Sequence, residues 1–188
     1  MNKRLFIAVD VSEQTRSLIR AIQSELHFFK NNIRFISPQN VHVTLKFLGD
    51  VSSDQILPVI SKVESCVSSF QNFNYICEGT GVFPNIKKPR VLWLGITEGS
   101  ENLRELSWKL NDSLRKLPVQ QEDKEYRSHI TLGRVKHYNY RENNLNLSNF
   151  LAMKFEKTIN NVAEMVLYES FLRPKGAIYK AIHKFKLK

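Results

Sequence analysis

Two cysteines, Cys66 and Cys77, are all that the 188-residue chain contains. So few, at that spacing, exclude a disulfide framework and a four-cysteine metal centre, and they imply reduced thiols in a cytoplasmic protein. No apolar run approaches the length of a membrane span, so a soluble chain is expected. The opening "MNKRLFIAVDV" starts charged, but its apolar run stops at Asp10, too short for the hydrophobic core of a secretion signal. Glycine and proline number 7 and 6 and nowhere gather into a linker. Residues 1–188 therefore read as one domain, with room for two lobes that share a core. Acidic residues are the scarcer charge, 18 against 28 Lys plus Arg, for a net +10. A cation of that size attracts polyanions, so nucleic acid or a phosphate-bearing ligand is the expected partner. An RNA-recognition signature with interleaved aromatics is missing, which leaves sequence-specific binding without support.

What remains is a 42% hydrophobic chain whose patterning interleaves strands and helices. "RLFIAVDV" (Arg4 to Val11) reads as a buried strand, and Ser12 as the N-cap of a helix carrying Leu18, Ile22, Leu26 and Phe29. A short approach strand and a Ser37-Pro38 turn lead into a strand from Val41 to Leu48. Ser52 with Gln55 forms a capping box for a second helix, although Pro58 implies a kink or a later start. "FNYICEGTGVF" and "RVLWLGIT" read as paired strands, and Leu103, Leu106, Leu110, Leu114 and Leu117 form the stripe of a third helix. After a second histidine strand come a polar stretch, "YNYRENNLN", and a short helical "LSNFLAMK". The end is a hairpin turning at "RPKG". This order predicts an α+β fold with antiparallel pairing.

His-x-Thr-Leu occurs twice, at "HVTLKFLG" from His42 and "HITLGRVK" from His129. Side chains alternate along a strand, so His42 and Thr44 share one face and His129 and Thr131 share another. If the two halves meet about a pseudo-twofold axis, two imidazoles and two hydroxyls line one cleft. That set suits phosphoryl transfer with no metal. A neutral imidazole takes a proton from the attacking oxygen, a protonated one supplies the leaving oxygen, and the hydroxyls donate to non-bridging oxygens. Neither copy carries a third ligand at zinc spacing, so no metal and no cofactor are expected. His27, His137 and His183 each stand alone and read as structural or solvent-exposed. A basic RNA-binding module with an idle cleft would account for the charge and the "KAIHKFKLK" tail, but not for the duplication.

With "RLFIAVDV", "SPQNVHVTLKFLGDV", "GVFPNIKKPRVLWLGI", "HITLGR" and "LYESFLRPKGAIY", the chain resembles the two-histidine (2H) phosphoesterases. More narrowly it resembles the RNA 2′,3′-cyclic phosphodiesterases first named 2′-5′ RNA ligases, over nearly its whole length. The resemblance implies two pseudo-symmetric lobes of antiparallel sheet, helices packed outside, and an active-site cleft between them. It implies hydrolysis of a terminal 2′,3′-cyclic phosphate of RNA, or of a nucleoside 2′,3′-cyclic phosphate, to a 2′-phosphate. Reversible 2′-5′ ligation is implied beside it, and a monomer is expected. A relative acting on another small cyclic phosphate or on a 2′-5′ linkage is the alternative. By the same resemblance His42 is the proton donor and His129 the proton acceptor. Ser128 stands where the family often has proline and removes no catalytic group. Phe47 and Arg134, each five residues after its histidine, are the symmetric pair expected to grip base and phosphate with Thr44 and Thr131. Strict alternation turns both away from the histidine face. Gly133 permits a bulge that re-aims Arg134, whereas nothing comparable precedes Phe47, which therefore reads as core.

Overall fold

A computed structural model of the chain describes residues 1–122, 125–136, 145–174 and 176–188. His137 and most of the polar stretch after it lie outside the described residues, as does Lys175 in the terminal turn. The elements run β1 (Asn2–Asp10), α1 (Glu13–Glu25), β2 (Ile33–Phe35), β3 (His42–Ser52) and α2 (Ile56–Val67). There follow β4 (Phe73–Phe83), β5 (Val91–Ile96), α3 (Ser100–Ser113), β6 (His129–Val135), α4 (Ser148–Leu151), β7 (Thr158–Val162), β8 (Glu164–Phe171) and β9 (Ile178–Lys186).

All nine strands among the described residues join one curled antiparallel sheet in the order β7-β4-β5-β6-β3-β1-β8-β9, with β2 paired to β6. The fold is α+β, and its two lobes are the two halves of that sheet. In each half the histidine strand lies innermost, next to the strand that precedes it in the chain across a helix: β3 beside β1, and β6 beside β5. The halves join where Val43 pairs with Ile130, each one residue after its histidine. The expected pseudo-twofold thus passes between the two motifs.

The helices do not stay with their own halves. α1 follows β1 in the chain, yet its buried Thr15 hydrogen-bonds Thr158 Oγ1 at 2.7 Å and Asn160 Oδ1 at 2.9 Å on β7, the far strand of the other lobe. α3 joins β5 to β6, yet Ser107 Oγ donates to the Leu45 carbonyl of β3 at 2.7 Å. Each lobe is roofed by a helix from the other, and one apolar core runs beneath both, from Leu5 and Val43 to Leu103 and Ile130.

Local chemistry explains the helix limits. The Ser12 hydroxyl accepts from Thr15 N–H at 3.2 Å, the cap expected of it. Ser52 makes no such cap, and α2 begins only at Ile56 after a 3-10 turn. Pro58 then falls in the first turn, where its missing N–H has no partner to lose. The terminal hairpin forms as expected, β8 pairing with β9. β7 was not foreseen. Its buried positions are Thr158, Asn160 and Val162, so two of three inward residues are polar and hide the alternation.

Candidate active site

Val43 opposite Ile130 sets the register of the centre. Antiparallel pairing about that point brings His42 across from Thr131, and Thr44 across from His129. Residues directly opposite share a face, so the four side chains form a two-by-two block on the face away from Val43, Leu45, Ile130 and Leu132, which are buried in the core. The sequence motif put His and Thr on one face. The strand pairing crosses them, each imidazole beside the other strand's hydroxyl.

Both imidazoles are held the same way. His42 Nδ1 lies 2.7 Å from the Asn40 carbonyl, and His129 Nδ1 lies 2.7 Å from the Arg127 carbonyl. A carbonyl only accepts, so each Nδ1 carries a proton and each Nε2 is left for chemistry. The repeated bond two residues upstream has no side-chain signature, because backbone supplies it.

Burial lowers the His42 imidazole below its ordinary pKa; the Asn40 carbonyl and the Asp10 carboxylate oppose this, and the charges of His129 and Arg134 add to it. His129 is also lowered, mainly by burial, with the Arg127 carbonyl opposing and Arg134 adding. The two sites differ in one respect that matters for proton traffic. Asp10, paired across β1 and β3 with His42, is a carboxylate favouring the protonated form, and His129 has no such partner among the described residues.

Aromatic rings wall both imidazoles. The Phe6 ring lies 4.9 Å from His42 and the Tyr179 ring 5.3 Å from it, while Tyr168 stacks on Phe6 and donates its hydroxyl to Asp10 at 2.8 Å. On the other side Phe83 meets His129 edge-on at 5.0 Å, and Trp93 backs Phe83. Sequence reading missed this wall, because its rings come from β1, β4, β5, β8 and β9. Among the described residues the hydroxyls of Thr44 and Thr131 donate no hydrogen bond, so both are available to a ligand.

Phe47 corrects an expectation. It is not core but 43% exposed, next to the Phe6 ring at 6.3 Å. The pairing of β1 with β3 slips between Ala8–Thr44 and Ile7–Lys46, so Leu45 and Lys46 both turn inward and Phe47 returns to the histidine face. β6 slips likewise between Trp93–Thr131 and Leu92–Gly133, which sends Arg134 outward, as the glycine predicted. Both strands show the same burial sequence over six residues from the histidine. Phe47 and Arg134 are therefore pseudo-symmetry mates.

In place of a glycine, the bulge in β3 uses a buried lysine. Lys46 Nζ is tied to Asn111 Oδ1 on α3 and to the Gln120 carbonyl at 3.1 Å. Its inward turn was concealed by the polar letter in "TLKFLG". Arg134 is exposed on the histidine face, and its charge adds to the lowering that burial imposes on both imidazoles; burial raises the Tyr179 hydroxyl, and Arg134 opposes that rise. His27 and His183 stand apart, the first bonded to the Ser24 carbonyl and the second to Glu64. Among the described residues no three His, Cys, Asp or Glu side chains are grouped to hold a metal ion.

The chain as a whole resembles known proteins. Residues 9–93 match the family described as LigT like phosphoesterase. A protein of Archaeoglobus fulgidus named RNA 2′,3′-cyclic phosphodiesterase is 34% identical over 97% of this chain and 99% of its own length. A protein of the same name from Methanothermobacter thermautotrophicus is 34% identical over the full length of both. The chain belongs to the LigT-like phosphoesterases. Its fold also matches the crystal structure of TT0787 of Thermus thermophilus, with a TM-score of 0.80 and 26% identity, covering 98% of this chain and 97% of that one. In this LigT-like phosphoesterase the crossed His–Thr block presents two imidazoles and two hydroxyls on one face. No described helix is long and apolar enough to cross a membrane.

Proposed function

We propose that this phosphoesterase hydrolyses 2′,3′-cyclic phosphate ends of RNA to 2′-phosphates by acid–base catalysis between His42 and His129. The crossed block carries this reading. Two imidazoles with Nδ1 tied to backbone present two Nε2 atoms beside two hydroxyls. The relatives' names supply the substrate class.

The proton path follows from the surroundings. His129, with no carboxylate to hold its proton, accepts one at Nε2 from the attacking water as that oxygen bonds to phosphorus. The bond from phosphorus to the 3′ oxygen breaks, and protonated His42, favoured by Asp10, delivers its Nε2 proton to that oxygen. Thr44 and Thr131 donate to the two non-bridging oxygens, where charge builds up. Phe47 and Arg134 flank the block and hold the terminal nucleotide, the first by its ring and the second by its guanidinium. One proton enters His129 and one leaves His42, so the pair exchanges states and bulk solvent resets it.

An oligonucleotide ending in a 2′,3′-cyclic phosphate, incubated with enzyme and EDTA, tests this. The expected product is the 2′-phosphate with a free 3′ hydroxyl, formed at an undiminished rate after chelation. A 3′-phosphate product, or activity that chelation removes and added metal restores, overturns the scheme.

A further inference from the structure

At the edge of the cleft, two arginines are paired across neighbouring strands. Arg34 on β2 is the direct pairing partner of Arg134 on β6. Opposed residues of antiparallel strands lie about 5 Å apart at Cα and share a face, and like charges so placed are destabilising. Both are exposed, and among the described residues neither meets a carboxylate. The fold nevertheless forces the pair together. β2 sits against Gly133, where an added Cβ would come within 2.7 Å of Ile33 Cγ2. Ile33 is buried, so Arg34 must face the cleft side.

We infer that Arg34 and Arg134 together bind the phosphate on the 5′ oxygen of the terminal nucleotide. This rests on the proposed function and adds to it a second phosphate site. Arg134 lies three residues along β6 from Thr131, about 10 Å of strand. Arg134 shares the cleft face with Thr131 and pairs with Arg34, so both side chains stand at one end of the block that takes the reacting phosphate. An anion between two guanidiniums relieves their repulsion and takes charge-assisted hydrogen bonds from both. The chemistry selects a nucleotide that continues in the 5′ direction, so a strand end is preferred over a bare nucleoside cyclic phosphate.

The test compares adenosine 2′,3′-cyclic phosphate with the same compound carrying a 5′-phosphate. The natural chain should show a lower KM for the 5′-phosphorylated compound, an advantage that shrinks as salt rises. In Arg34→Ala that KM should rise roughly tenfold with kcat unchanged, as expected for loss of a charged hydrogen bond. The unphosphorylated compound should be unaffected, and Arg34→Lys should recover part of the loss. Equal effects on both compounds, an effect on kcat, or no 5′-phosphate advantage in the natural chain overturns the inference. If neither compound is hydrolysed, the proposed function falls, and calorimetry with adenosine 2′-phosphate and adenosine 2′,5′-bisphosphate decides the site instead. Tighter binding of the bisphosphate that Arg34→Ala abolishes upholds it, and equal binding refutes it.

Discussion

At the scale of single residues, the two imidazoles look alike until their neighbours are compared. Burial lowers both, so the form with one neutral and one protonated ring is populated on the acid side of the ordinary histidine range. The profile of kcat/KM should be bell-shaped with its maximum below about pH 6.5, the unperturbed histidine value. Raising the pH takes the proton from the acid, and lowering it occupies the base. Asp10→Asn removes the charge that favours protonated His42 while leaving an oxygen for Tyr168. The alkaline limb should therefore move to lower pH and the acid limb should stay. A shift of the acid limb alone would exchange the two histidines' roles. The hydroxyls make a separate prediction. Thr44→Val or Thr131→Val keeps β-branched shape and removes one donor, which should lower turnover about 10²-fold with melting unchanged. Full turnover in the doubly substituted chain would show that neither hydroxyl touches the phosphate.

At the scale of elements, the two bulges decide what the motif can hold. Leu132 and Gly133 both turn inward, and β2 lies so close to Gly133 that an added Cβ would meet Ile33, the Arg34 carbonyl at 3.2 Å and Phe35. Gly133→Ala should overpack that contact, cost about 1–3 kcal/mol, and raise KM by displacing Arg134. Urea unfolding with unaltered midpoint and unaltered KM would remove the bulge from the mechanism. Sequence made much of this scale legible. The capped α1, the leucine stripe of α3, the paired strands β4 and β5, and the terminal hairpin all carry local periodicity or turn chemistry. The bulge at Gly133 was legible because glycine marks it, and its twin at Lys46 was not. A lysine in a strand ordinarily faces water. Only partners distant in the chain, Asn111 and the Gln120 carbonyl, let this one turn inward. The same blindness to distant partners hid β7 and the aromatic wall.

At the scale of the whole molecule, the duplicated motif works only if the halves hold their mutual position, and the crossed helices provide that. Asn160 on β7 accepts from Ser12 N–H at 2.8 Å and from the Thr15 hydroxyl, so the beginning of α1 is tied to the far lobe. Its amide also donates to the buried Cys77 thiol at 3.4 Å, and burial pushes that thiol up to about 11, leaving it a neutral packing group. Asn160→Ala leaves buried donors unpaired, each costing about 1–3 kcal/mol. Neither lobe can lose its roof alone, because the roof of one is a segment of the other. Unfolding should therefore remain a single transition in the natural and substituted chains, with far-ultraviolet dichroism and tryptophan fluorescence coinciding and the midpoint lowered in Asn160→Ala. Trp93 reports the β5 half directly, since it pairs with Thr131 and backs Phe83. Two separated transitions, or a fluorescence midpoint that holds while dichroism falls, would mean that the lobes melt independently. The two imidazoles would then be aligned by the Val43–Ile130 pairing alone.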